Sequence, residues 1–269
     1  MQTLVRYGRL WLALGRFGLV RELAFRGNFL VKVTVELLWL VILLVFWFTV
    51  FTYTKQIADW TLPQYMFFVG CYMALEGLLE TFFLSNCGEF SDLVRSGDLD
   101  FALLKPIDEQ FLITCRSIDW TTLPNVLLGV GVMINALIAL EWEFDPIKIG
   151  LFLVLMACSL AMAYSFLLML ASSAVWMVRN QSLFELWWLF TTLVRYPREI
   201  FSSSWAAPIG RFFTYVIPVM LIINVPANVM VRVFDGWMIA LALAMTALLL
   251  WASRRFFRLA LSRYRSASS

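Results

Sequence analysis

The residues of this chain that could do chemistry are carboxylates set in apolar surroundings. Glu76 and Glu80 stand four apart in the run TLPQYMFFVGCYMALEGLLETFFL, so on a helix they share one face. Glu36 and Glu185 sit in two other apolar runs. Carboxylates placed like this either see water, find a cation, or hold a proton. One chemistry they suggest is a polar pathway through the membrane. A plainer one is pairing, Glu36 with Lys32 four residues earlier and Glu185 with Arg179. A catalytic carboxylate pair is a third, but no nucleophile or metal-ligand set accompanies it. The chain has no histidine at all, which removes the commonest metal ligand and neutral-pH base. Cys71, Cys87, Cys115 and Cys158 form no CxxC and read as small apolar residues.

A second set of candidate residues lies in Asn86 to Gln110, NCGEFSDLVRSGDLDFALLKPIDEQ, the longest polar break in the chain. Glu89, Asp92, Arg95, Asp98, Asp100, Lys105, Asp108 and Glu109 alternate there with Phe90, Leu93, Val94, Leu99, Phe101, Leu103 and Leu104. A loop that only had to reach water would not need those apolar side chains. Ser96-Gly97 stops one helical turn pattern and Pro106 ends the next. The expectation is one or two short amphipathic helices at the membrane surface, presenting apolar side chains to a partner or to lipid. Acidic charge with apolar knobs suits a basic protein partner better than anionic lipid.

The elements that must position these residues follow from composition. The chain has 269 residues, 62% of them hydrophobic and only 14% charged. A soluble domain of this size could not hide so much apolar surface. Several runs approach the roughly 18–20 residues that cross a bilayer as a helix. The fold class is therefore an all-α polytopic membrane protein, a single domain over 1–269 with room for about six transmembrane helices and no separate soluble domain. The expected spans are about Phe29–Phe51, Tyr65–Leu84, Leu123–Leu140, Pro146–Val178, Leu183–Val194 and Trp237–Trp251. Residues 1–27 read as an amphipathic helix in the interface, with Arg6, Arg9 and Arg16 on one face. No cleavable leader is expected there, because arginines interrupt its apolar stretch. Residues 86–118 form the polar loop. Residues 195–231, broken by Pro197, Pro208, Pro218 and Pro226, read as a re-entrant helical hairpin. The alternative is that Phe212–Val231 is a proline-kinked span, for seven crossings. Arginine-rich termini place both ends in the cytoplasm, which needs an even number of spans and puts the polar loop on the same side.

Together, the stretches ELAFRGNFL, SGDLDFALLKP, RYPREIF, IPVMLIINVPA and RYRSASS resemble, in order and spacing over essentially the whole chain, one group of bacterial ABC transporter permeases, the membrane subunits of type-2 (ABC-2) exporters. The resemblance implies a six-helix permease in the bacterial cytoplasmic (inner) membrane, with an interfacial N-terminal helix, a cytoplasmic coupling helix between spans 2 and 3, and a re-entrant helical hairpin before span 6. It implies that Asp92, Leu93, Arg95, Asp98, Leu99, Asp100, Leu103, Leu104 and Pro106 press on a separate ABC-type ATPase subunit. It also implies that spans 1, 2 and 5 line a path between two permeases, making Glu36, Glu76, Glu80 and Glu185 path candidates. The chain carries no GxxxxGK[ST] loop, so no ATP or Mg is expected on it and both belong to the partner. The expected partners are that ATPase, a second permease as homodimer or heterodimer, and membrane lipid, with no nucleic acid. Two other readings stay open: an accessory or scaffold membrane protein, and a proton-coupled carrier using Glu76 and Glu80. The substrate is not legible.

Overall fold

The structure is a computed structural model that describes residues 2–24, 26–177, 181–203 and 205–264. Every regular element among the described residues is a helix, with one isolated bridge, Ile57 to Trp60, and no strand. The helices are α1 (Gln2–Ala24), α2 (Arg26–Tyr53), α3 (Leu62–Leu79), α4 (Ser85–Ser96), α5 (Leu99–Leu103), α6 (Glu109–Thr114), α7 (Leu123–Ala139), α8 (Pro146–Ser173), α9 (Gln181–Val194), α10 (Ala207–Tyr215), α11 (Val219–Val231) and α12 (Gly236–Arg263). Five described helical stretches are long and apolar enough to cross a membrane: 29–53, 62–96, 120–139, 146–173 and 236–263. The all-α polytopic class is therefore what the chain adopts.

Local chemistry sets the helix starts. Asp108, Asp145 and Asp235 each accept a hydrogen bond from the backbone N–H of the first turn they precede, capping α6, α8 and α12. Gln64 accepts from the Thr61 N–H at the start of α3, with Pro63 at its second position. Gly97 ends α4 in the left-handed conformation, φ 81°, which only glycine adopts freely. At the centre, α3 and α7 approach until backbone nearly touches backbone. A Cβ on Gly70 would lie 2.7 Å from the Gly129 carbonyl oxygen, and one on Gly129 would lie 2.6 Å from the Ala74 nitrogen. Small residues at a crossing are how membrane helices gain packing where lipid offers no hydrophobic drive.

The bundle has two distinct ends. At one, α4, α5 and α6 form a tier under α8 and α12: Gln110 and Thr114 meet Tyr164 of α8, and Phe90 packs on Phe257 of α12. α1 lies alongside, where Tyr7 packs edge-on against Phe111 and Trp120 donates to the Gly15 carbonyl. At the other end the indole of buried Trp60 donates to Glu199, and Trp142 donates to the Met230 carbonyl. Between Glu199 and Arg232 the chain makes α10 and α11, which meet at 87° around Pro218. Arg232 then returns to within 3.9 Å of Glu199. The two ends of the segment thus lie together at one end of the bundle, with the bent pair α10 and α11 between them. α11 is buried along nearly its whole length, so its Pro226 and freed backbone groups lie within protein.

Four expectations are corrected. The second span does not stop at Leu84. A π-helical turn over Glu80–Leu84 joins α3 to α4, because nothing in 80–96 breaks the helix. The last helix does not stop at Trp251 but runs to Arg263, burying Phe257 and Ala260, so Arg254, Arg255 and Arg258 belong to a helix and not a tail. The helix of the fourth span ends at Ser173, followed by turn residues to Trp176. Lys32 does not pair with Glu36. Its ammonium donates to Thr121 at 2.8 Å and lies 3.6 Å from Asp119. The pairing of Glu185 with Arg179, and the end of the fourth span at Val178, lie outside the described residues. α9 has 14 residues, about 21 Å of helix. That is short of a full crossing. The fifth expected span is thus not among the helices long and apolar enough to cross, whereas α10 and α11 pass that test together as a bent pair.

Candidate functional site

The tier is a supported platform. α5 has only five residues and could not hold its own shape in water. It is held from below, where Leu99 is fully buried and Leu103 half-buried, i and i+4 on one face. Phe101 and Leu104, i and i+3, share the opposite face and stand 69% and 81% exposed. Of the other residues expected to meet a partner, Asp92, Arg95, Asp98 and Pro106 are exposed, and Leu93 and Asp100 are half-buried. The pattern of apolar residues inside a charged loop thus divides in two: one set anchors the platform and two residues stand free. Phe101 is the functional candidate that was not singled out. Its spacing from Leu104 within a segment stopped on both sides was the available signal.

Polar ties fix the platform to the bundle. Arg254 of α12 donates to Asp108 at 2.8 Å and to Gln110 at 3.0 Å. Burial alone would raise the Asp108 carboxyl, but the Arg254 guanidinium and the Phe111 N–H outweigh it and hold the group below its ordinary value. Asn86 reaches back to Ser117, accepting from its N–H and hydroxyl and donating to its carbonyl, which pins the return of the loop. Arg6 of α1 donates to the Pro106 carbonyl and Tyr7 accepts from the Asp108 N–H.

The second site lies inside the bundle. Glu76 accepts from the Tyr72 hydroxyl and lies 3.8 Å from Arg195. Arg195 also donates to Tyr72 at 2.8 Å and lies over its ring. It comes from just beyond α9, more than a hundred residues away, and no sequence spacing could have pointed to it. Glu36 and Glu80 are half-buried, and Glu80 is within electrostatic range of Glu36, Glu76, Asp119 and Lys32. Three of the four carboxylates are therefore brought into one seam between α2, α3 and the end of α9. Glu185 stands apart, exposed on α9. Among the described residues no group of three or more His, Cys, Asp or Glu could hold a metal ion.

These features define a class: a multi-pass helical membrane protein with a polar seam through its helices and a rigid, knobbed tier at one end. The family model of the ABC-2 family transporter protein matches residues 37–268, everything but α1 and the start of α2, and the chain belongs to that family. It is a permease component of an ABC transporter, and the family implies an ABC-type ATPase partner. No curated protein and no solved structure matches the chain.

Proposed function

We propose that this chain is the membrane-spanning permease of an exporter, driven by a separate ATPase that docks on the tier at the cytoplasmic face. One observation carries the reading. Phe101 and Leu104 are large apolar side chains exposed on a helix whose other face is buried. Such residues are anchors for a partner that covers them. Closure of two ATPase subunits on ATP would push α5. The polar ties to Arg254 and the packing of Leu99 would pass the motion to α12 and α4, and α4 is continuous with α3. Energy would enter through contacts at α5 that differ between the two states. Substrate would move outward along the seam of Glu36, Glu76 and Glu80, between α2, α3 and α9 of this chain and those of a second permease, with Glu185 near the junction. Both termini would then be cytoplasmic and the hairpin would face the outside. ATP and Mg would be held by the partner alone.

The test replaces Phe101 and Leu104 by glutamate in the chain co-expressed with its ATPase. The expected result is loss of ATPase co-purification and at least a tenfold loss of permease-stimulated hydrolysis, as for two anchor residues, with an unchanged melting temperature. Wild-type stimulation in that variant would sink the docking role. Leu99 is not a usable position for this test, because a charge at a fully buried site disrupts the platform itself.

A further inference from the structure

The hairpin end holds a cavity of about 250 Å³ between Asn224–Val233 of the hairpin and the start of α12. That is smaller than the roughly 300–1,000 Å³ of a site that swallows a whole ligand. It is the size of a subsite for one end of a molecule. Its apolar walls come from valines of α11 and from Met238 and Ile239 of α12. Its polar groups are the unusual part.

Arg198 and Arg232 both line it, with side chains only 28% and 17% exposed. Two guanidiniums share one carboxylate, Glu199. Arg198 donates to it at 3.3 Å, Arg232 lies 3.9 Å away, and its other oxygen is occupied by the Trp60 indole. Beyond that, among the described residues the Arg198 guanidinium has only the Met238 sulfur at 3.0 Å, a weak acceptor. The Arg232 guanidinium stacks on Trp60 at 4.7 Å and makes no hydrogen bond among the described residues. Each guanidinium carries five N–H donors, so most are unused. A third donor joins them. Asn224 is 2% exposed and lines the cavity. Its Oδ1 accepts from the Arg198 N–H, which fixes the amide orientation and leaves its NH₂ without an acceptor among the described residues. Asp235 also borders the space, with its Oδ1 accepting from the first-turn N–H groups of Trp237 and Met238 and its Oδ2 without a hydrogen-bond donor among the described residues.

Two half-buried guanidiniums and a buried amide that line one cavity, with donors unused among the described residues, ask for an anion with several acceptor oxygens. A carboxylate is satisfied by one arginine fork. A phosphate has oxygens for both forks and the amide. The geometry points to a phosphate-binding subsite formed by Arg198, Arg232 and Asn224, taking the phosphate end of an amphiphile or a free phosphate. It deepens the exporter reading by giving the substrate class an anionic, phosphate-bearing group, and it rests on that reading only for what the ligand does there.

The test titrates dihexanoylphosphatidic acid, dihexanoylphosphatidylcholine and inorganic phosphate into the full chain in an uncharged detergent, by calorimetry. The expected result is saturable binding of the phosphatidic acid and at least tenfold weaker binding of the phosphatidylcholine. Arg198→Gln is expected to weaken the phosphatidic acid at least tenfold. Asn228→Asp sets a negative charge at the cavity wall while leaving both guanidiniums in place, so it weakens binding even where Arg198→Gln compromises folding. Competition by inorganic phosphate assigns the subsite to the free anion, and lack of competition assigns it to a lipid-like headgroup. Either supports it. Equal binding of the two lipids, or wild-type affinity in both variants, overturns it. No ATPase is present, so failure here leaves the stimulation test of the exporter reading intact, and failure there leaves binding intact.

Discussion

α2 and α3 are neighbouring apolar helices with opposite fates. In the most apolar stretch of α2 no residue is buried, while 67% of the corresponding stretch containing α3 is buried. Yet α2 is the more hydrophobic of the two. In a membrane, apolarity says only that a helix can enter, and it gives no reason to leave lipid for another helix. What buries α3 is its small residues, Gly70, Ala74 and Gly77, which let α7 come close, and its polar residues, Tyr72 and Glu76, which have partners. Beyond its first turns α2 has no glycine or alanine, and it leaves Leu38, Trp39, Val41, Ile42 and Phe46 exposed.

The largest expected effect breaks α3 out of its setting. Gly129→Leu puts a side chain where a bare Cβ already lies 2.6 Å from the Ala74 backbone, so the helices must part. Overpacking of a rigid core costs about 1–3 kcal/mol or more. Backbone-to-backbone contact cannot relax by a rotamer change, so the upper end is expected. The chain should fail to elute as a single species from detergent. The matched change on α2, Val41→Leu, should leave elution and melting temperature unchanged. If Gly129→Leu melts like the wild type, close packing is not what holds α3.

A smaller effect separates the two glutamates. Glu76 on α3 is 15% exposed and paired with Arg195, while Glu36 on α2 makes no hydrogen bond or ion pair among the described residues. Removing one partner of a fully buried pair costs about 3–5 kcal/mol. Arg195 is 44% exposed, so the expected cost of Arg195→Gln is reduced to about 1–2 kcal/mol. Thermal unfolding in detergent should show that loss, and adding Glu76→Gln should recover part of it, because no charge is then left alone. Glu36→Gln should not move the melting point. Strict additivity of the two changes at Glu76 and Arg195 would mean that the pair is not coupled.

The helices, the proline-broken segment and the polar tier were legible because their signals are local: apolar length, proline spacing, and polar residues flanking Gly97 and Pro106. The ends were less legible. Span 2 and the polar loop read as separate because charges begin near Glu80, whereas the backbone needs a breaker to stop and has none before Gly97. The site residues divided along the same line. That Leu99 faces in and Phe101 faces out is a matter of two residues in a five-residue helix, decided by what lies beneath it. Arg195, Arg198 and Arg232 gain their roles from partners far along the chain, Tyr72, Asn224 and Trp60, and no spacing encodes those meetings.

The smallest expected effect concerns the bare face of α2. Single polar changes there, such as Val41→Ser, remove no buried contact, so the fold of one chain should lose well under 1 kcal/mol. If the exposed face meets only lipid, the number of permease chains per complex should also stay as it is. If a second permease covers it, as the proposed path between two copies requires, the same change costs nothing within the chain and weakens only the contact between chains. Size-exclusion with light scattering on the co-purified complex separates the two. A shift toward one permease per complex at unchanged melting temperature supports the covered face. An unchanged stoichiometry across Leu38→Ser, Val41→Ser and Val45→Ser together would move the second copy to another face, with α9 and its exposed Glu185, Trp188 and Leu189 the next surface to probe. The face of α2 that carries Leu38, Val41 and Val45 would then meet lipid alone, in contrast to the buried faces of α3.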